Sequence, residues 1–416
     1  MSTEPLQWLV SQIGSRELYA CAVSFQRRKR LKRFYTDVWW PYAPSAFARM
    51  PTPLWGLSLR HHAELPADKV TSFTGWAILD DLRWKLRSGS RDVGATFRHY
   101  LETGRHFGTK VAEHMAGLAL DPRRDALFAF STGALEPLRH ARDRGLFTVV
   151  DQLDPARVDQ EMVLEEMARW PDWEPPHDRI PEEYFARLGE EWKAADLVVV
   201  NSNFSRDALV RQGVAREKVL VVPLCYERES TVAPKKTSSN APLRVLWLGQ
   251  VVLRKGIPYL FEAASLLRNE RIEFQVAGRI GISDKAVATA PPNVQMLGKV
   301  NRERALELYS QADVFVLPTI SEGFAITQIE AMSFGLPVVT TPNCGDVVTS
   351  GKDGLIVPIR DPRTLADALL ELHADRKHLR VMSDNALLKW RQFTLDHYAE
   401  TIEAAALRLR GRRAAA

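Results

Sequence analysis

Glu322-Gly-Phe-Ala-Ile-Thr-Gln-Ile-Glu-Ala-Met-Ser-Phe-Gly-Leu-Pro-Val-Val339 is the stretch from which the fold can be read. The apolar run Val314 to Leu317 before it, broken by Pro318, reads as a buried strand ending in a loop. From Phe324 to Phe334 the apolar positions Ile326, Ile329, Ala331 and Met332 keep helical spacing, and Gly335 followed by Pro337 supplies the stop. Glu322 therefore precedes the helix and Glu330 lies inside it. Eight helical residues rise about 12 Å and turn the two side chains roughly 80° apart, so these carboxylates cannot share a proton. They contact different parts of something long. In an open parallel sheet, ligands bind outside the carboxyl ends of the strands, where helix N-termini offer N–H groups to anions. A nucleotide diphosphate bearing a further group is the simplest such ligand, with its phosphates at the helix start and one glutamate near each end. The alternative is a pair of solvated surface glutamates, against which Gly323 and Gly335 bracket the helix as a loop-helix-strand unit requires.

Working outward, the same grammar recurs. The strand Leu243 to Leu248 runs into Gly249-Gln250-Val251-Val252-Leu253-Arg254-Lys255-Gly256 and then a helix with Pro258 in its first turn. Ile272 to Ala277 precedes Gly278-Arg279, which join Gly249 and Gln250 as ligand-edge candidates. Val294 to Leu297 precedes Gly298-Lys299, and a helix follows from Arg302 to Gln311. Neither G-x-x-x-x-G-K-[ST] nor G-x-G-x-x-G occurs, which removes the motifs of ATPases and dinucleotide enzymes. Toward the N-terminus, the strand Ala126 to Phe130, the helix Leu135 to Arg144 and the strand Phe147 to Val150 form a βαβ unit. The pattern resumes with a helix from Tyr184 to Ala194 and strands Leu197 to Val200 and Val219 to Val222. Alternation through two halves without sequence repeats predicts an α/β fold of two Rossmann-like, doubly wound domains. The polar stretch around Pro234, Lys235 and Lys236 is read as the linker. The expected divisions are 1–228, linker 229–241, 242–390, and a tail over 391–416, with helix read from Leu387 to Arg410.

Composition fits two cores: 416 residues, 45% of them hydrophobic. The net charge of +5, from 56 basic and 51 acidic residues, favours anionic ligands or a membrane surface over nucleic acid, for which no binding motif is present. Cys21, Cys225 and Cys344 stand far apart without metal-ligand spacing and read as reduced thiols of a cytosolic protein. No leader-like start and no run of 18 apolar residues is visible. Arg27, Arg28, Lys29, Arg30, Lys32 and Arg33 crowd one seven-residue window, as a solvated face or as a contact with anionic lipid. Trp39 and Trp40 would suit such an interface. Trp170 and Trp173, set among prolines, are read as a packed loop before a sugar-stacking surface.

The E-x7-E segment from Glu322 to Glu330, with Gly-Leu-Pro-Val-Val as its sequel, resembles the retaining glycosyltransferases of the group 1 or GT4 family, which have the GT-B fold of two facing Rossmann-like domains. The resemblance covers Leu243 to Asp361 and, more loosely, Ala126 to Val222. It implies that Lys255 is a phosphate ligand, that Glu322 positions the transferred sugar and that Glu330 holds the ribose. Amides of Gly323, Phe324, Ala325 and Ile326 would line the phosphates. It further implies a tail crossing back to the first domain. The donor would be a UDP- or GDP-sugar and the acceptor a glycan or lipid-linked hydroxyl in cell-envelope polysaccharide synthesis, with the enzyme cytoplasmic or peripheral at the membrane.

Such transfer builds negative charge on the leaving phosphates, and something positive must be preorganised there. Arg254 and Lys255, flanking a glycine at a helix start, are the candidates. No acidic pair stands in a convincing loop of the second half, so no metal ligand or cofactor is assigned. The sequence departs from the family at Ala325, where glycine is usual, and at Gln250, where an arginine often stands. Asp151 occupies the place of the family's first-domain histidine and is the candidate base, with Asp154 beside it. Two other readings stay open at this point: a nucleotide-sugar-binding protein without turnover, and an epimerase on the same fold.

Overall fold

Thirteen strands form two parallel sheets in a computed structural model that describes residues 5–41, 60–87, 92–176, 178–228 and 241–415. The expected linker lies outside the described residues except for Ala241. The first sheet holds β1 (Gln7–Gln12), β2 (Leu31–Thr36), β3 (Val70–Ser72), β4 (Asp125–Phe130), β5 (Phe147–Gln152), β6 (Leu197–Val200) and β7 (Val219–Val221), in the order β3-β2-β1-β4-β5-β6-β7. The second holds β8 (Leu243–Leu248), β9 (Ile272–Ala277), β10 (Val294–Gly298), β11 (Val314–Leu317), β12 (Val338–Thr340) and β13 (Gly354–Ile356), in the order β10-β9-β8-β11-β12-β13. Each order reverses once, between β1 and β4 and between β8 and β11. Loops leaving neighbouring strands diverge there and open a crevice at the carboxyl edge. The loops after β8 and β11 carry Arg254, Lys255 and Glu322, so topology alone brings these residues to one crevice.

Strands such as Leu-Val-Val-Val in β6 and Val-Phe-Val-Leu in β11 are buried throughout, as strands covered on both faces must be. One core fills the second domain around Trp247, Phe274 and Phe315. The first sheet has a core on each face. Helix Val93–Ala116 packs on one, with Phe107, Val111 and Met115. The other joins Trp8, Phe25 and Phe128 to Leu395, Tyr398, Ala399, Ile402, Ala405 and Ala406 of the last helix, Leu395–Ala415. Those six positions make one helical stripe, so the chain's end returns to the first domain to bury it.

The structure moves several expected elements. The tail read as one helix is two, Arg376–Trp390 and Leu395–Ala415. The helix after Glu322 begins at Ile326 rather than Phe324, and β5 continues two residues past Val150. The basic run Arg27 to Arg33 spans the end of helix Ala20–Arg27, a turn at Lys29 with φ 58° and the start of β2 at Leu31.

Candidate functional site

The loops after β8 and β11 are laced together before any ligand is considered. The carbonyl of Arg254 accepts from the Ile320 amide at 2.8 Å and from Thr319 Oγ1 at 3.0 Å. Gly256, with φ 73°, allows this approach, since a Cβ there would stand 1.8 Å from the Pro318 carbonyl oxygen. Above this seam Arg254 donates to the Ser321 carbonyl at 2.7 Å and to Glu322 Oε2 at 2.8 Å, and Lys255 Nζ bonds the same carboxylate oxygen. Burial pushes the Glu322 carboxyl up, but the Lys255 and Arg254 charges outweigh it and hold the group below the usual carboxylate range. Glu322 is an ionised carboxylate facing two cations.

Helix Ile326–Ser333 starts four residues later, and no side chain caps its N-terminus. Glu330, buried within that helix, accepts from Arg302 at 2.6 Å and from Tyr309 Oη at 2.9 Å. Arg302 also borders a cavity of about 400 Å³ at the carboxyl ends of β8, β9 and β10. Gly249, Gln250, Gly278 and Arg279 line it as expected ligand-edge residues, together with Lys299 and Asn301. The structure thus places the first glutamate with Lys255 and Arg254 and the second with Tyr309 and with Arg302, which lines the cavity. Phe324 and Ala325 lie buried between them.

The first domain meets this site closely. A Cβ at Gly323 would stand 2.3 Å from the carbonyl oxygen of Leu153, so glycine is what lets the Glu322 turn lie against that loop. Ser321 Oγ donates to Asp159 Oδ1 at 2.5 Å, and the same oxygen is 4.0 Å from Arg254. Asp159 belongs to helix Arg157–Arg169, whose far end also docks on the second domain. There Glu166 accepts from Tyr259 Oη at 2.7 Å and from Arg360 at 2.5 Å. Trp170 donates to Tyr259 at 3.3 Å and Trp173 packs against Phe261, so this pair is an interdomain contact, as the packed-loop reading anticipated.

Three expectations need correction or refinement. Asp151, the candidate base, is buried at the end of β5, where its carboxylate accepts from Tyr398 of the last helix at 3.2 Å. Burial, reinforced by Glu17, pushes its carboxyl up to about 7. It forms no ion pair with Arg254 or Lys255. Asp154 is a turn residue, accepting from Gln152 and from the Ala156 amide. Four of the six residues of the basic run are paired, Arg27 with Glu64 and Glu227, Arg28 and Arg30 with Glu403, Arg28 also with Glu400, and Lys32 with Asp125, while Arg33 donates to the Asp68 carbonyl. Its carboxylates come from distant parts of the chain and were invisible to local reading. Arg302 did carry a signal, because Gly298-Lys299 before its helix repeats the strand-glycine-helix grammar of Gly249. Asp159 carried none.

Among the described residues no helix is long and apolar enough to cross a membrane, and no cluster of three His, Cys, Asp or Glu residues suits a metal ion.

Residues 242–375 match the family described as Glycosyl transferases group 1. The putative colanic acid biosynthesis glycosyltransferase WcaL of Escherichia coli K12 is 27% identical over 203 residues, which are 45% of this chain and 50% of the relative. The alpha-galactosylglucosyldiacylglycerol synthase of Streptococcus pneumoniae is 31% identical over 220 residues, 48% and 58% of the two chains. The chain thus spans about half the length of these curated relatives. Anabaena HepE, solved in complex with UDP, superposes with a TM-score of 0.62 at 14% identity, covering 95% of this chain and 98% of HepE. At that identity the likeness speaks for the fold alone, and the fold is GT-B.

Proposed function

We propose, for a GT-B chain whose second domain is a group 1 glycosyltransferase domain, that it transfers a hexosyl group with retention of configuration from a UDP- or GDP-sugar to a hydroxyl of a glycan or lipid-linked acceptor. The observation that carries this reading is Glu322, held by Lys255 and Arg254 just before a short helix whose own glutamate, Glu330, holds Arg302, a residue of the cavity lining. The diphosphate lies across the helix start, against the amides from Gly323 to Ile326. The ribose meets Glu330, and the base enters the cavity past Gly249, Gln250, Gly278 and Arg279. Glu322 takes the sugar hydroxyls.

In the reaction the bond from the anomeric carbon to the diphosphate oxygen breaks, and one to the acceptor oxygen forms on the same face. Charge growing on the leaving diphosphate meets Lys255 and Arg254, which are already oriented by Glu322 and need no reorganisation. With Asp151 buried against Tyr398, the acceptor proton passes to the leaving phosphate oxygen. The names of the relatives, colanic acid biosynthesis and a glycolipid synthase, support a cell-envelope acceptor. Buried free thiols at Cys21, Cys225 and Cys344 support a cytoplasmic enzyme. Anionic lipid would have to compete with Glu64, Glu227, Glu400, Glu403 and Asp125 for the basic run, and no lipid contact through it is proposed.

A thermal-shift screen against UDP, GDP, ADP and their sugar conjugates, with Glu330→Ala in parallel, tests the reading. A ligand at 100 times its Kd stabilises by about 2.7 kcal/mol. One nucleotide should raise the melting temperature of the wild type and not of the variant. No response to any nucleotide would sink the donor site, and binding without transfer would favour a protein that binds nucleotide sugars without turnover.

A further inference from the structure

Two carboxylates, not one, share the cations at the proposed phosphate site, and they come from different domains. Glu322 accepts from both Arg254 and Lys255. Asp159, reaching across from helix Arg157–Arg169, accepts from Ser321 Oγ at 2.5 Å and lies 4.0 Å from Arg254. With both acids ionised, two positive charges face two negative ones, and nothing is left over to attract a diphosphate. Neutralising one acid restores a net positive site.

The geometry decides which acid yields. Glu322 is clamped by two cations and stays ionised. Asp159 has one hydroxyl, a more distant arginine, and the negative fields of Asp154 and Glu322. Partial burial at the domain seam, where the side chain keeps 28% of its exposure, is eased by Arg254 and Ser321 and reinforced by those two acids, and it pushes the carboxyl up to about 6. An arriving diphosphate adds further negative charge and raises it again. Arg254, Ser321, Asp154 and Glu322 are the groups that face it from the surrounding loops and from the second domain.

Building on the donor-site reading, we propose that Asp159 is an interdomain counter-charge to the donor diphosphate, and that donor binding draws one proton from solvent onto this carboxylate. Asp159 is on this account a positioning residue: it sets the net charge around Arg254 without touching the reacting atoms. In the free protein it neutralises the cleft, and on donor binding it turns from an acceptor of the Ser321 hydroxyl into a neutral acid that no longer opposes the phosphates.

The test is isothermal titration calorimetry of the whole chain with UDP-glucose, GDP-mannose and ADP-glucose in buffers of differing ionisation enthalpy. These ligands have both phosphates esterified and carry no phosphate group that titrates near neutrality. For the nucleotide sugar that binds, wild-type affinity should fall by up to about tenfold per pH unit above pH 6, with proton uptake approaching one per site. Asp159→Asn should show no proton uptake and a flat profile, and should bind more tightly than wild type at about pH 8. Ser321→Ala, which removes the hydrogen bond favouring the ionised form, should move the fall to higher pH. Wild-type binding without proton uptake, or uptake that persists in Asp159→Asn, overturns the proposal while leaving the donor site standing. If Asp159→Asn does not fold, an unmoved profile in Ser321→Ala overturns it. Failure of the wild type to bind any of the three sugars overturns the donor site and this inference with it.

Discussion

Of the clusters of positive charge in this chain, Arg27 to Arg33 and Arg254-Lys255 invite comparison, and by composition the first is the stronger. Structure reverses the ranking. In the first cluster each of Arg27, Arg28 and Lys32 meets carboxylates of its own, from Glu64, Glu227, Glu400, Glu403 and Asp125. These pairs tie the last helix and β4 to the N-terminal strands. In the second, Arg254 and Lys255 share a single oxygen of Glu322, and the further acid nearby belongs to the other domain. What separates the two is place: the pairs of the first cluster hold parts of the first domain and the last helix together, whereas the second cluster stands at the crevice where the strand order reverses.

The sharpest way to break this contrast is turnover. Lys255→Ala should lower kcat about 10²- to 10³-fold, the effect of removing one preorganised cation from a developing oxyanion. Arg28→Ala should stay within about twofold in the same transfer assay, because its charge is used structurally. Equal losses in both clusters would erase the distinction.

A third charge, Asp151, sharpens it through stability. Its folded pKa of about 7 lies above the unfolded value of about 3.9, so the folded state binds the proton more tightly. Stability should therefore fall as pH rises between those two values. Asp151→Asn removes that penalty: its melting temperature should exceed that of wild type at about pH 8, and the gap should close toward about pH 4. A gap that does not change with pH would mean that Asp151 does not ionise against Tyr398.

The smallest expected effect belongs to the basic run itself. Arg28 holds the exposed Glu400 and the largely buried Glu403, and Arg28→Ala should cost about 1–2 kcal/mol in chemical denaturation. Its binding to anionic vesicles should match that of wild type. Weaker vesicle binding by the variant would return lipid to the list of partners for this cluster.

Much of the second domain was legible because its signals are carried by adjacent residues. Val314–Leu317 is an apolar run, Leu243–Leu248 is one interrupted by Arg244, and Ile272–Ala277 alternates apolar with polar residues; each is closed by glycine or proline, and the strands lie where these patterns are. The first hundred residues were not legible in the same way. Gln-Trp-Leu-Val-Ser-Gln ends in two polar residues that are nevertheless buried, and Glu17, Leu18 and Tyr19 adopt left-handed φ values of 46°, 51° and 66° that no local rule assigns to such side chains. Tertiary packing holds them there.

At the site the same division holds. Glu322, Lys255 and Arg254 could be named because the loops that carry them follow recognisable strands, and in a doubly wound sheet such loops open at one edge. The sequence by itself determined the alternation of strands and helices, the glycines where loops cross closely, and the residue types able to meet phosphate. All of these follow from periodicity and from backbone sterics over a few residues. Only the tertiary structure decided which charges remain available: Arg28 meets Glu403 across 375 residues, Asp159 meets Ser321 across 162, and Asp151 meets Tyr398 across 247. Electrostatic pairing depends on distance in space and on burial, and neither is written along the chain.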